Sequence, residues 1–221
     1  MSRFVVTGLL FLAAAATGFS ALGQLADAMR DSSLHSWAVA GYWVLKTVIL
    51  AAFCVFVALR DEPRKRSRQA GAFLAVGVAV AAVVLMKEPS ATSTTQVVVG
   101  DVVAFVFCAW LLAAVLALGT CFGFLPEARG LVTRGPYGLV RHPVYVGEMG
   151  TVGGFLLGAP SVWNVCVALS FCGAQLARMR MEERALAAEF PEYRQYAART
   201  PRLFPKLARD GGRELAAWRT S

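Results

Sequence analysis

The chain has 221 residues, 57% of them hydrophobic and only 16% charged, with a formal net charge of +8. Soluble domains carry about 25% charged residues, so a soluble globular protein is excluded and a polytopic, all-helical membrane protein is indicated. The positive charge is not a nucleic-acid footprint, because Lys and Arg gather in short segments between apolar runs, as they do in cytoplasmic loops.

The start, MSRFVVTGLLFLAAAATGFSALG, has the parts of a signal peptide: Arg3, an apolar stretch and then small residues. The apolar stretch continues to Leu25 and further spans follow, so a first membrane helix over 4–25 is the preferred reading. Further apolar runs occupy 38–59, 70–86 and 97–119. Roughly 20 residues cross a bilayer, which leaves the third run on the short side. Lys46 sits near the middle of the second run. It reads either as snorkelling toward Asp101 or as lining a cavity, and it is left out of the candidate site.

Two shorter runs follow, 144–158 and 161–177, separated by Ala159-Pro160-Ser161. Fifteen residues rise only about 22 Å as a helix, so this pair is predicted to be a tight hairpin that need not cross the bilayer. The count is then about six hydrophobic helices, followed by a cytoplasmic amphipathic helix in LARMRMEERALAAEF. In that segment Leu176, Met179, Leu186 and Phe190 form an apolar stripe, and Glu183 falls in its gap. Glu182 lies about 100° away, four residues after Arg178, where a helical salt bridge accounts for it. Glu183 points to the apolar side, which suggests a ligand contact or a salt bridge to the 134–143 loop. Beyond it, FPEYRQYAARTPRLFP combines Tyr193, Tyr196, Arg199 and Arg202 with three prolines. It reads as chain laid back over the membrane surface, where aromatics and arginines are also ordinary anchors. The chain divides into N-terminal membrane helices (1–118), a second region (119–208) and a polar tail (209–221).

Orientation follows from the basic residues. With the N-terminus inside, 19 of the 22 Lys and Arg fall on the cytoplasmic side, five of them in 60–68; the reverse orientation places two there. Both termini are therefore expected in the cytoplasm, in the cell membrane of a bacterium or the endoplasmic reticulum membrane of a eukaryote. The five cysteines, Cys54, Cys108, Cys121, Cys166 and Cys172, form no CxxC pair and read as packing residues, with no metal site.

The densest polar stretch is RGPYGLVRHPVYVGE, Arg134 to Glu148. Gly135 and Gly138 permit turns, and Pro136 and Pro143 restrict the backbone. Arg141 and His142 stand at the mouth of the fifth helix. Glu148 lies about one turn inside it, where an ionisable group calls for a partner or a wet cavity. Arg141, seven residues earlier, is the expected partner if the helix extends that far. No GxGxxG, P-loop, HExxH or GxSxG is present.

In order, the chain carries GxxFGxLPxxRxLVTxGPYxxVRHPxYxGE from Gly119 to Glu148, PSxxN from Pro160 to Asn164, RxxxEExxL from Arg178 to Leu186, and a Tyr-rich stretch ending in RLFP at Pro205. These pieces resemble the isoprenylcysteine carboxyl methyltransferase family and, more distantly, the phospholipid methyltransferases, over about residues 119–206. The resemblance implies an integral membrane methyltransferase using S-adenosylmethionine without a Rossmann domain. It implies a cofactor site built from Tyr137, Arg141, His142, Pro143 and Tyr145 on one side and Glu182 and Glu183 on the other. Arg141 and His142 would hold the cofactor's carboxylate, and Glu183 its amino group or ribose. A carboxylate or thiolate acceptor needs no base; an amine acceptor does, and Glu148 is then the candidate beside Arg141 as a catalytic residue. The implied partners are the bilayer and a lipophilic or small methyl acceptor: a prenylcysteine-like carboxylate, a thiol or a lipid amine. Membrane sterol reductases using NADPH share the layout but carry Asn-Tyr in place of Pro143-Val144-Tyr145. A small transporter or scaffold would explain the spans but not Glu183 or the 134–148 stretch.

Overall fold

A computed structural model describes residues 3–59, 70–87, 93–121 and 130–205. Its long elements are α1 (Arg3–Asp31), α2 (Leu34–Leu59), α3 (Ala70–Leu85) and α4 (Thr94–Leu118), the last extended by a 3-10 turn at Gly119–Cys121. A one-turn helix α5 (Pro136–Leu139) leads to α6 (Pro143–Gly158), α7 (Val162–Glu189) and the short α8 (Tyr193–Arg199). No strand occurs among the described residues. Among the described residues, three helical stretches are long and apolar enough to cross a membrane: Leu34–Leu59, Thr94–Cys121 and Val162–Glu189. α3 and α6, with 16 residues each, rise only about 24 Å, short of a hydrocarbon core of about 30 Å. The expected tail from Arg209 and the basic segment 60–68 lie outside the described residues.

The amphipathic helix expected over 176–190 is not a separate element. α7 runs unbroken from Val162 to Glu189, because the stretch from Gln175 to Glu189 contains neither glycine nor proline and consists mainly of strong helix formers. Ser161 caps its start, its side chain accepting from Asn164 N at 3.0 Å. Pro191, one residue past the cap at Phe190, ends it. The expected apolar stripe survives in part: Met179 and Phe190 are buried, but Leu176 is exposed.

The predicted hairpin also packs differently. α6 lies mainly along α4, and α7 mainly along α3, with a smaller α6–α7 contact. The α4–α6 seam is made of glycines. A Cβ on Gly154 would stand 2.4 Å from Ala104 N, one on Gly100 2.5 Å from Gly158 N, and one on Gly147 2.7 Å from Leu111 Cβ. Close backbone approach through small residues is how membrane helices associate, since lipid gives them no hydrophobic drive to separate from it. The two helices run antiparallel, the end of α6 meeting the start of α4.

α2 runs alongside α4 in the same direction. His35 and Asp101, near their starts, stand 3.2 Å apart, and α2 reaches the turn at Gly119–Cys121. Ile49, Phe53 and Val57 pack with Cys108, Leu111 and Val115. Ala75, Ala79 and Ala82 of α3 pack with Val167, Ala168, Phe171 and Ala174 of α7. At the end away from the 134–142 loop, Asn164 clasps α3 to the α6–α7 turn. Its Nδ2 donates to Lys87 O at 2.9 Å and Ala159 O at 2.7 Å, and its Oδ1 accepts from Lys87 N at 3.0 Å. Lys46 does not reach Asp101 in place of His35; its ammonium stands 4.7 Å from the Trp43 ring centre and 5.9 Å from that of Tyr42.

Candidate functional site

The site grows from the chain between Gly135 and Pro143. Gly135 has φ +62, a conformation that favours glycine, and Pro136 opens α5 at its first position. This turn buries Tyr137 and Val140. The chain then becomes extended through Val140 before α6 starts at Pro143. Trp110 of α4 holds that start by donating from Nε1 to Pro143 O at 2.9 Å.

The extended residues are strapped by the chain beyond α8. Arg141 N donates to Pro201 O at 2.8 Å and His142 N to Arg202 O at 3.2 Å. Tyr196 Oη donates to Tyr137 O at 2.7 Å. Phe190, Tyr193, Leu131 and Leu186 form an apolar cluster beneath this strap.

Glu183 is the knot between these pieces. Arg141 Nη1 stands 2.8 Å from its Oε1, and His142 Nε2 3.1 Å from the same oxygen. Because a carboxylate only accepts, His142 donates here. Arg202 binds both oxygens, from Nε at 3.0 and 3.1 Å and from Nη2 at 2.6 Å, a fork geometry that suits a guanidinium. The carboxylate in turn raises the pKa of the Arg202 guanidinium, first through these hydrogen bonds and then through its charge. Glu183 thus makes the salt bridge to the 134–143 loop that the sequence allowed.

Its neighbour Glu182 has a different place. It accepts from Tyr145 Oη at 2.9 Å and lines a cavity of about 50 Å³ together with Tyr137, Arg141, His142, Tyr193 and Tyr196. Leu118, Leu131, Val132 and Leu186 complete much of the apolar wall. Two polar atoms around this cavity, Arg141 Nε and Tyr193 Oη, are buried with no partner in good hydrogen-bond geometry, the Arg141 guanidinium lying beside the Tyr193 hydroxyl. Burial pushes the phenols of Tyr137 and Tyr193 above their ordinary pKa, so both remain neutral donors; the Arg141 guanidinium offsets part of this at Tyr193.

Of the residues expected at the site, Tyr137, Arg141, His142 and Glu182 meet at the cavity. Pro143, Tyr145 and Glu183 stand directly behind it. Glu148 does not: Gln175 Nε2 donates to its carboxylate, and Arg178 Nη1 lies 3.9 Å from it. The expected Arg141–Glu148 pair is therefore replaced. Its premise was a helix reaching back to Arg141, but α6 begins at Pro143, and Arg141 turns away to Pro201 and Glu183. Arg178, expected beside Glu182, reaches instead across to Glu148 and to Gln175 Oε1, the latter at 2.8 Å. The role of Tyr193 and Arg202 was not apparent from sequence; the Tyr-rich RLFP stretch was the signal, and it also fitted a membrane anchor. Among the described residues no three His, Cys, Asp or Glu gather as a metal site.

Residues 96–193 match the phospholipid methyltransferase family. That segment holds α4, α6, α7 and most of the cavity wall, and the match supports the resemblance to isoprenylcysteine carboxyl methyltransferase-type membrane methyltransferases. The cobalt-zinc-cadmium resistance protein CzcN of Cupriavidus metallidurans is 43% identical over 79 residues, 35% of this chain and 37% of that protein. The nickel-cobalt-cadmium resistance protein NccN of Alcaligenes xylosoxydans xylosoxydans is 40% identical over 79 residues, with the same shares. The chain therefore spans little more than a third of the length of these curated relatives.

Proposed function

We propose that this chain, with its phospholipid methyltransferase-type segment, is an S-adenosylmethionine-dependent methyltransferase of the membrane, and that the cofactor binds at the Tyr137–Tyr193 cavity. The observation that carries the reading is the donor pair Arg141 Nε and Tyr193 Oη, buried next to each other without a well-formed hydrogen bond, beside the carboxylate of Glu182. Buried polar groups are rarely left unpaired without a purpose. A ligand bearing a carboxylate together with an amine or ribose hydroxyls matches this donor set: Arg141 and Tyr193 for the carboxylate, Glu182 for the amine or a hydroxyl. Tyr137, Tyr196, Leu131 and Leu186 offer ring faces and apolar surface to the remainder.

When bound, the cofactor supplies a methyl group on a sulfonium. What the protein contributes is alignment and exclusion of water. Glu183 anchors Arg141 and His142, so the donors are held before any ligand arrives. A cavity of about 50 Å³ holds a few waters, whereas ligand sites of this class measure roughly 300 Å³ or more. Binding of the cofactor therefore requires this cavity to widen. A lipophilic or small acceptor, whether a prenylcysteine-like carboxylate, a thiol or a lipid amine, would enter from the bilayer side. Glu148, held by Gln175 and Arg178 away from the cavity, is a weaker candidate for a base than it was in the sequence.

The test is binding of labelled S-adenosylmethionine to the purified protein in detergent. Saturable binding that NADPH does not compete is the expected result. Binding of NADPH in its place would overturn the reading in favour of a reductase. Offering labelled cofactor with prenylcysteine analogues, lipids and thiols then identifies the acceptor.

A further inference from the structure

α6 and α7 pack mainly on other helices, yet a chain of polar groups joins them near the site. Gln175 of α7, almost fully buried, donates to Glu148 of α6. Arg178 donates to Gln175 Oε1 at 2.8 Å and lies 3.9 Å from Glu148. The same guanidinium stands over the ring of Tyr145, 5.2 Å from its centre. The Tyr145 hydroxyl donates to Glu182 at 2.9 Å. Glu148, Gln175, Arg178 and Tyr145 do not line the cavity; Glu182, at the end of the chain, does.

We infer that Arg178 is a positioning residue: held by Gln175 and Glu148, it fixes the ring of Tyr145 so that the tyrosine hydroxyl sets Glu182 at the cavity wall. The inference rests on the cofactor reading above. Its physical basis is that a guanidinium plane can stack on an aromatic face while its edge makes directed hydrogen bonds, whereas an ammonium is a point charge without a plane. Glu182 is otherwise an intermediate-exposure carboxylate on a helix face, free to take several rotamers. Tyr145 removes that freedom, and its buried ring is held between the His142 ring, edge-on at 5.5 Å, and a cation on its face. Arg178 occupies that place, and Glu148 on the neighbouring helix balances its charge in apolar surroundings, which makes the intramembrane carboxylate part of the same device.

Arg178→Lys tests this without removing charge. The variant keeps a cation for Glu148 but loses the guanidinium plane over Tyr145 and its directed hydrogen bond to Gln175. The expected result is cofactor binding about tenfold weaker, with the thermal midpoint in detergent close to that of the unsubstituted protein. Tyr145→Phe should weaken binding by a similar factor. The decisive measurement is the double variant, which should bind no more weakly than either single one, because both remove the same constraint on Glu182. Arg178→Lys binding as tightly as the unsubstituted protein would overturn the inference. So would losses that multiply to about a hundredfold in the double variant, or a lowered thermal midpoint with affinity unchanged, which would mark a structural role only. Absence of binding by the unsubstituted protein is a separate outcome and sinks the cofactor reading itself.

Discussion

At the scale of single residues, two adjacent glutamates carry opposite tasks. Glu183 is surrounded by Arg141, His142 and Arg202, and removing its charge strands the guanidinium of Arg141 in a buried position. Glu183→Gln is therefore expected to destabilise the protein by about 3 kcal/mol, the usual scale for breaking a buried pair, seen as a lowered unfolding midpoint in detergent, with cofactor binding lost as a consequence. Glu182 has one hydrogen bond from Tyr145 and a place on the cavity wall. Glu182→Gln should leave the midpoint unchanged and weaken binding roughly ten- to a hundredfold, the scale of one hydrogen bond to a charged group. If the two variants behave alike, the division of roles fails. The sequence pointed to both residues through helical geometry, and it placed Glu183 on the buried side, where the structure has it. It could not divide their tasks, because the partners of Glu183 come from chain 41 residues before it and 19 after it. Arg202 was legible only as an arginine near a membrane. Its fork onto Glu183 depends on where Pro201 lets the chain cross residues 141 and 142, and a spacing rule along one helix carries no such information.

At the scale of elements, hydropathy located the long helices because burial in lipid and burial in protein demand the same apolar residues. The run read as 38–59 is α2 from Leu34 to Leu59, and 97–119 is α4 from Thr94 to Leu118. Partner choice was not legible in the same way. The 144–158 run has as its main partner the long apolar helix before it, α4, not the helix that follows it, and the reason is steric. Gly147, Gly154 and Gly158 give α6 a flat stripe that only a close backbone can fill, and α4 offers Gly100 and Ala104 opposite it. This makes a prediction with its own control on the same helix. Gly154→Ala places a Cβ 2.4 Å from Ala104 N, against backbone that cannot swing away, whereas Gly153→Ala meets nothing within 4 Å. The first should cost about 1–3 kcal/mol as overpacking, read as a lowered midpoint in detergent. The second should be neutral or slightly stabilising, since alanine is the better helix former. Equal midpoints for the two variants would mean that α4 and α6 do not approach each other as closely as the glycine seam requires.

At the scale of the whole molecule, the bundle has two unlike ends. One carries the 134–142 turn, the strap beyond α8 and the cavity; the other carries the Asn164 clasp to Lys87 and the caps at Ser93 and Ser161. The directions of the helices fix which loops share an end: α2 and α4 run together, and α6 runs back. They do not fix which end faces the cytoplasm, because helix packing is indifferent to the sidedness of the membrane. The distribution of Lys and Arg leads us to propose the cavity end as the cytoplasmic one. Among the described residues, the six arginines from Arg178 to Arg202 and those of the 134–142 turn belong to the cavity end, while the clasp end has Arg30 and Lys87. A cofactor made in the cytoplasm would then meet its site directly, and a lipophilic acceptor would reach it from the inner leaflet. The expectation is that, with the five native cysteines replaced by alanine, Ser93→Cys and Ser161→Cys react with a membrane-impermeant maleimide in intact cells. Leu139→Cys, exposed on α5 beside the cavity, should react only after the membrane is opened. The inverse pattern would place the cavity outside, where no cytoplasmic pool of S-adenosylmethionine reaches it, and would count against the cofactor as well as against the orientation.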